Sequence, residues 1–216
     1  MLLYGIPFSA YCAKVRIALR LKGIAFREVP PPGGYRSAAY RAIVPTGTVP
    51  ALDIGDRVLF ESDAIVEYLD EIRAEPPLLP AAPADRAQAR SAARYHDTRV
   101  EPVVRTLFPH VGASSADPAV FEAAVDLLGE RLARLGEASP PAPFIAGPEM
   151  TAGDLGYPGT LMMAERLLEE GGCALALAPP IAAWRNRLLE EPAVRDTVAE
   201  MAAALDGWIA TKRQTA

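Results

Sequence analysis

The chain has 216 residues and half of them are hydrophobic, enough to bury a substantial core without covalent staples. Its 22 basic and 27 acidic residues are interleaved and leave a formal net charge of -5, so no basic stripe is offered to nucleic acid or to an anionic membrane surface. Two cysteines, Cys12 and Cys173, and two histidines, His96 and His110, are too few and too scattered to suggest a disulfide framework or a metal site.

In chain order, Leu2 to Tyr4 is a short apolar run ended by Gly5 and Pro7, a strand leading into a turn. A helix is expected over 9–22. Val15, Ala18 and Leu19 mark one face and Ile17 and Leu21 another, so it is covered on two sides, and Gly23 stands at the stop. Residues 25–29 read as a second strand, and Pro30-Pro31-Pro32-Gly33-Gly34 as a loop. Strand, helix, strand implies a parallel crossover. A short helix over 36–43 follows, and then 49–54 and 57–60 flank Gly55-Asp56 as a β-hairpin. Beyond Ser62 the stripe Ala64, Ile65, Tyr68, Leu69 and Ile72 has helical spacing.

The proline-rich segment that follows, 76–84, suits neither a helix nor a central strand and reads as a linker between residues 1–75 and 85–216. Every strong period past it is helical. Asp85 with Gln88 resembles a capping box opening a long helix toward Phe108. Asp117-Pro118 pairs an N-cap with an N1 proline, ahead of Phe121, Val125, Leu128, Leu132 and Leu135 on one face. Residues 151–170 are apolar almost all round, as for a helix buried in a bundle, and Pro158 should kink it. Ile181, Trp184 and Leu188 mark another helix stopped near Pro192, and Val194, Val198, Met201, Leu205 and Trp208 the last one. Met1 to Gly5 carry no basic region ahead of an apolar run, and no stretch approaches the roughly 18 apolar residues that span a bilayer, so a cytoplasmic protein is expected.

A βαβ unit, then ββα, a proline linker and an all-helical half resembles the cytosolic glutathione transferases over nearly the whole chain. Three motifs make the resemblance specific. The run from Ser9-Ala10-Tyr11-Cys12 to Lys22-Gly23 is similar to the first helix of the serine-type zeta and tau classes, whose catalytic serine falls at Ser9. Val49-Pro50-Ala51-Leu52 matches the cis-proline segment of thioredoxin-like folds, and Glu61-Ser62 matches the family's acid or amide plus serine pair. The resemblance implies an α/β thioredoxin-like N-terminal domain, an all-α helical-bundle C-terminal domain, glutathione as co-substrate, a homodimer and a role in detoxification.

The chemistry suits those residues. A glutathione thiol has a pKa of about 8.5, so only a few per cent is nucleophilic thiolate at neutral pH. Ser9 at a helix N-terminus can donate its hydroxyl to the sulfur while free amides and the helix dipole add favourable potential. Read alone, Ser9 is an ordinary helix cap. Val49, before a cis-proline, is suited to pair its backbone with the extended peptide. Ser62 can hold a carboxylate at the next helix N-terminus, and Glu61 can meet the γ-glutamyl ammonium. Thr48 stands where zeta and tau members tend to carry glutamine or lysine, and Lys14, Tyr35 or Arg36 is a candidate to compensate.

The acceptor pocket is expected between Ser9 and the 85–108 helix, lined by Tyr11, Tyr95, Arg99 and Phe108. The expected reaction is attack of the Ser9-activated thiolate on a small hydrophobic electrophile. Three alternatives stay open: a zeta-type cis-trans isomerase using glutathione catalytically, a glutathione-binding protein without turnover, and a thiol-disulfide reductase acting through Cys12. Register opposes the last, since the cysteine of omega-type relatives matches Ser9. Thr151-Ala152-Gly153-Asp154 resembles the family's capping box in its buried helix, and His96 reads as structural.

Overall fold

A computed structural model describes residues 1–112 and 117–215. Four short strands, β1 (Leu2–Tyr4), β2 (Arg27–Val29), β3 (Ala51–Asp53) and β4 (Val58–Phe60), form one mixed sheet in the order β2-β1-β3-β4. β1 and β2 are parallel, joined by α1 (Ala10–Leu21) as the crossover, whereas β3 pairs antiparallel with β1 and β4. α2 (Ala38–Arg41) precedes β3, and α3 (Ser62–Ile72) follows β4.

α1 is the centre of the molecule because it is buried on both sides. One side packs on α3 and the sheet through Val15, Leu19, Leu3, Leu52 and Leu69, all without exposed surface. Each such leucine contributes about 1.5–3 kcal/mol of burial. The other side meets α7 (Tyr157–Glu169) and α9 (Pro192–Thr215). Gly159 permits that approach: a Cβ there would stand 2.9 Å from Met201 Sδ and 3.3 Å from the Ala13 Cβ.

The segment after α3 is pinned. Lys22, buried at the end of α1, donates to the Asp70 carboxylate and to the carbonyls of Arg73 and Pro76, while the Leu78 N–H donates to Asp70 at 2.7 Å. The helical bundle then comprises α4 (Pro83–Tyr95), a π-helical turn (His96–Val100), α5 (Glu101–Arg105), a 3₁₀ turn (Phe108–His110), α6 (Pro118–Ala138), α7, α8 (Pro179–Glu190) and α9.

Four expectations need correction, and proline accounts for most. The long helix over 85–108 is three pieces, and its first begins at Pro83 with Ala82 as N-cap. Asp85 and Gln88 are therefore not a capping box, and the Gln88 amide instead donates to the Ile145 carbonyl at 2.9 Å. Pro158 does not kink a helix over 151–170. It lies in the first turn of α7, where its missing N–H has no intrahelical partner to lose. Pro192 needs no such correction: α8 stops just before it, at Glu190, and α9 starts on it. Thr151 and Asp154 do bond each other, yet they stand in the turn before α7 rather than in its first turn. Asp117 caps α6 as expected, accepting from the Ala119 N–H at 3.0 Å.

Candidate functional site

Three separate segments converge on one cavity of about 760 Å³. The first is the turn from β1 into α1. Ser9 has φ -77° and ψ 125°, its N–H donates to the Ile6 carbonyl at 3.0 Å, and its Oγ accepts from the Cys12 N–H at 3.3 Å as the helix N-cap. Oγ accepts from the helix and also bonds the Cys12 side chain, and as a hydroxyl on the cavity wall it can donate its hydrogen to a ligand atom placed there, where the N-terminal dipole of α1 also points.

The second segment brings Thr48, Val49 and Pro50 to the wall, and the Val49–Pro50 bond is cis. The Thr48 carbonyl accepts from the Tyr40 hydroxyl at 2.8 Å, and its own hydroxyl pairs with that of Thr46 at 2.8 Å. The third is the turn from β4 into α3. Glu61 is exposed with φ 69°, a backbone region that costs a side-chain-bearing residue about 1–3 kcal/mol, and it turns the chain so that buried Ser62 opens α3 beside the cavity. Of the residues able to compensate for Thr48, Tyr35 and Arg36 line the cavity, but Lys14 does not: its ammonium is buried against Asp63 and Asp97.

At the far end, Tyr11 and Phe108 line the cavity, together with Phe8, Glu101, Arg105 and Met163. Phe8, Phe108 and Trp208 form an aromatic group with ring centroids 5.2–6.3 Å apart. The Tyr11 hydroxyl donates to Glu101 at 3.0 Å. Burial, with that carboxylate alongside, pushes the phenol well above its ordinary value and keeps it protonated. Glu101 also pairs with Arg105, whose guanidinium is 57% exposed while the Glu101 side chain is 3% exposed. Tyr95 and Arg99 are not on this cavity. The Tyr95 hydroxyl donates to the Arg131 carbonyl at 3.0 Å, which turns it to α6, while Arg99 is exposed and only its backbone carbonyl accepts from the Arg131 guanidinium.

Cys12 is fully buried off the cavity, and burial pushes its thiol up to about 11. A thiol so placed is neither ionised nor reachable, which removes the physical basis for a Cys12 reductase. Among the described residues no group of three or more His, Cys, Asp or Glu could hold a metal ion, and no helix is long and apolar enough to cross a membrane.

The model of the glutathione S-transferase N-terminal domain matches residues 3–77. A glutathione S-transferase of Pseudomonas putida is 32% identical over 155 residues, covering 71% of this chain and 70% of the relative. This chain belongs to the glutathione S-transferase family. Among solved structures, it is similar to a theta-class glutathione S-transferase of Xanthomonas axonopodis pv. citri with glutathione bound, at a TM-score of 0.78 and 31% identity over 91% of this chain and 96% of that one. It is also similar to holo maleyl pyruvate isomerase, a bacterial glutathione S-transferase of zeta class, at a TM-score of 0.79 and 26% identity over 94% of this chain and 98% of that one.

Several cavity residues of this glutathione S-transferase escaped sequence reasoning. Positions 97 and 101 stand two residues from 95 and 99, which on a helix is about 200° of rotation, so the chosen pair and the missed pair point to opposite sides. A signal was present, because Glu101 and Arg105 form an i,i+4 acid–base pair. Asp97 had none, since its role depends on the buried amine of a distant helix.

Proposed function

We propose that this glutathione S-transferase binds glutathione along Thr48, Val49, Glu61 and Ser62, and that Ser9 stabilises its thiolate for attack on a small hydrophobic electrophile. The convergence of the Ser9 hydroxyl, the cis Val49–Pro50 segment and the Glu61–Ser62 turn on a single cavity carries this reading. The Val49 backbone is the pairing edge for the extended peptide. Ser62 and the first amides of α3 suit the γ-glutamyl carboxylate, and Glu61 suits the ammonium beside it. Arg36 takes the glycyl carboxylate, the contact that Thr48 lacks the charge to make. Sulfur then stands between Ser9 and the aromatic group of Phe8 and Phe108, which supplies the apolar wall for the acceptor. Membership of the family supports a homodimer in the cytoplasm as the working form.

Glu61→Gly tests the glutathione end. Relief of about 1–3 kcal/mol of backbone strain exceeds the roughly 0.5–1 kcal/mol that glycine costs in chain entropy, so the Tm should hold or rise slightly. Loss of the ion pair to the ammonium, about 1.5–3 kcal/mol, should raise the KM for glutathione at least tenfold. An unchanged KM would remove Glu61 from the site.

A second reading has one specific observation in its favour. Arg105 is held at the acceptor end by buried Glu101, and such a pre-oriented guanidinium suits an acceptor bearing a carboxylate, as an isomerase acting on an unsaturated acid would require. Stoichiometry separates the two. Transfer consumes one glutathione per product, whereas isomerisation of a cis-unsaturated acid such as maleylpyruvate returns it. We expect consumption with an aryl or alkyl electrophile, and glutathione left undiminished over many turnovers would favour the isomerase.

A further inference from the structure

Lys14 lies in the second turn of α1 with its side chain 1% exposed. An ammonium taken out of water costs several kcal/mol unless it is paired and hydrogen-bonded. Its Nζ donates to Asp63 Oδ1 at 2.7 Å and to the two carboxylate oxygens of Asp97 at 2.8 and 3.0 Å. One ammonium thus faces two carboxylates, and the second is steadied from behind. Burial pushes His96 below its ordinary value, so the ring is neutral. It donates from Nδ1 to Asp97 Oδ1 at 2.6 Å and accepts at Nε2 from the Thr160 hydroxyl at 2.7 Å. Burial would push the Asp97 carboxyl up, but the His96 N–H and the Lys14 charge outweigh it and hold the group below the usual carboxylate range.

Of the two carboxylates, only Asp97 lines the cavity; Asp63 stands behind it, next in the chain to the lining residue Ser62. Asp63 follows Ser62 in the first turn of α3. Asp97 lies in the π-helical turn, lines the cavity itself, and offers its backbone carbonyl to the Tyr11 hydroxyl at 3.3 Å. A π turn is a rare interruption of an α-helix, and such turns are frequent at functional sites. The other charged or titratable neighbours are Tyr11 on the same helix, whose ring centroid is 5.7 Å from Nζ, and Glu101 with Arg105 beyond it. None of them offers Asp97 a second cation at hydrogen-bond distance. The Lys14 ammonium directly links the α3 N-terminus to the π turn through its two ion pairs.

We propose that Lys14 is a positioning residue of the transferase: it ties the start of α3 to the π turn, and so holds the Glu61–Ser62 wall and the Asp97 wall at the spacing that glutathione needs. The proposal rests on reading the cavity as the glutathione site. It assigns Lys14 an effect on KM for glutathione more than on kcat, because the amine touches neither substrate nor reacting atoms.

A double-mutant cycle on the full-length protein tests it with Lys14→Met, Asp97→Asn and the double variant, comparing glutathione KM, kcat at saturating glutathione, and Tm. Each single variant should raise KM about tenfold with kcat within threefold of the parent, and the double should be no worse than the poorer single, since both remove the same tie. Lys14→Met also leaves two adjacent carboxylates without their cation. Its KM should therefore improve as the pH is lowered from 8 to 6 and one of them takes up a proton, a dependence that the Asp97→Asn variant lacks. If Lys14→Met does not fold, Asp97→Asn, whose side chain is 21% exposed, carries the same KM expectation alone. A lowered Tm with KM unchanged overturns the proposal, as does a double variant whose KM effects simply multiply. A parent enzyme whose rate shows no saturable dependence on glutathione would instead overturn the reading of the cavity, and the proposal with it.

Discussion

Ser9→Ala should lower kcat/KM on the order of 10- to 100-fold at pH 6.5, the loss expected when a hydrogen bond worth about 1.5–3 kcal/mol to a charged acceptor is removed. The defect has a pH signature. With the donor gone, the bound thiol's pKa moves back toward about 8.5, so the loss is largest below that value and narrows above about pH 9, where the thiolate forms unaided. Stability separates this role from capping. Ser9 accepts from the Cys12 N–H, so alanine also costs about 1 kcal/mol of helix stability, a few degrees of Tm at most. Ser9→Asp keeps a cap acceptor and places a negative charge by the sulfur. It should be as stable as the parent and less active than the alanine variant. A pH-rate profile for Ser9→Ala that overlays the parent would leave Ser9 as a cap and nothing more.

Asp154→Ala should be the most damaging change to the fold, destabilising it by about 3–5 kcal/mol and lowering Tm by roughly 10 °C or more. Asp154 is fully buried, and its carboxylate accepts four hydrogen bonds: from the Ile145 N–H at 3.1 Å, the Thr151 N–H at 2.9 Å, the Thr151 hydroxyl at 3.0 Å and the Trp184 indole at 2.9 Å. Burial pushes its carboxyl up against the pull of those donors. Alanine would strand all four in a core too tight for water to replace them, between the turn before α7 and the middle of α8. Because Trp184 reports directly on this contact, tryptophan fluorescence during thermal unfolding is a suitable measurement. A fall of only a degree or two would mean that the turn relaxes and the hub is dispensable.

Legibility differed from one part of the molecule to another, for physical reasons. The end of the cavity built by Ser9, Val49–Pro50 and Glu61–Ser62 was readable because its parts are backbone devices with local sequence marks: a serine before a helix, a proline opening a strand, an acid–serine pair at a helix start. The helical half was readable as helices but not in their bounds. A proline ends a helix when it follows one and begins a helix when it falls in the first turn, and sequence does not say which. Pro83 and Pro158 proved to be starts, while Pro192 both follows the end of α8 and opens α9. Tyr95 and Arg99 were placed on the acceptor pocket for their size and chemistry, yet neither lines the cavity: the Tyr95 hydroxyl is bonded to α6 and Arg99 is exposed.

By itself the sequence determined the order of elements, the family, and the residues of the Ser9, Val49–Pro50 and Glu61–Ser62 segments that meet at the cavity. Only the tertiary structure decided that Lys14 is spent on Asp63 and Asp97, that Cys12 is sealed in the core, and that Glu101 holds Arg105 at the cavity. Hydrophobic period encodes which face of a helix is covered. It does not encode which buried amine meets which carboxylate, because such pairs join residues many turns apart and leave no periodic mark on the chain.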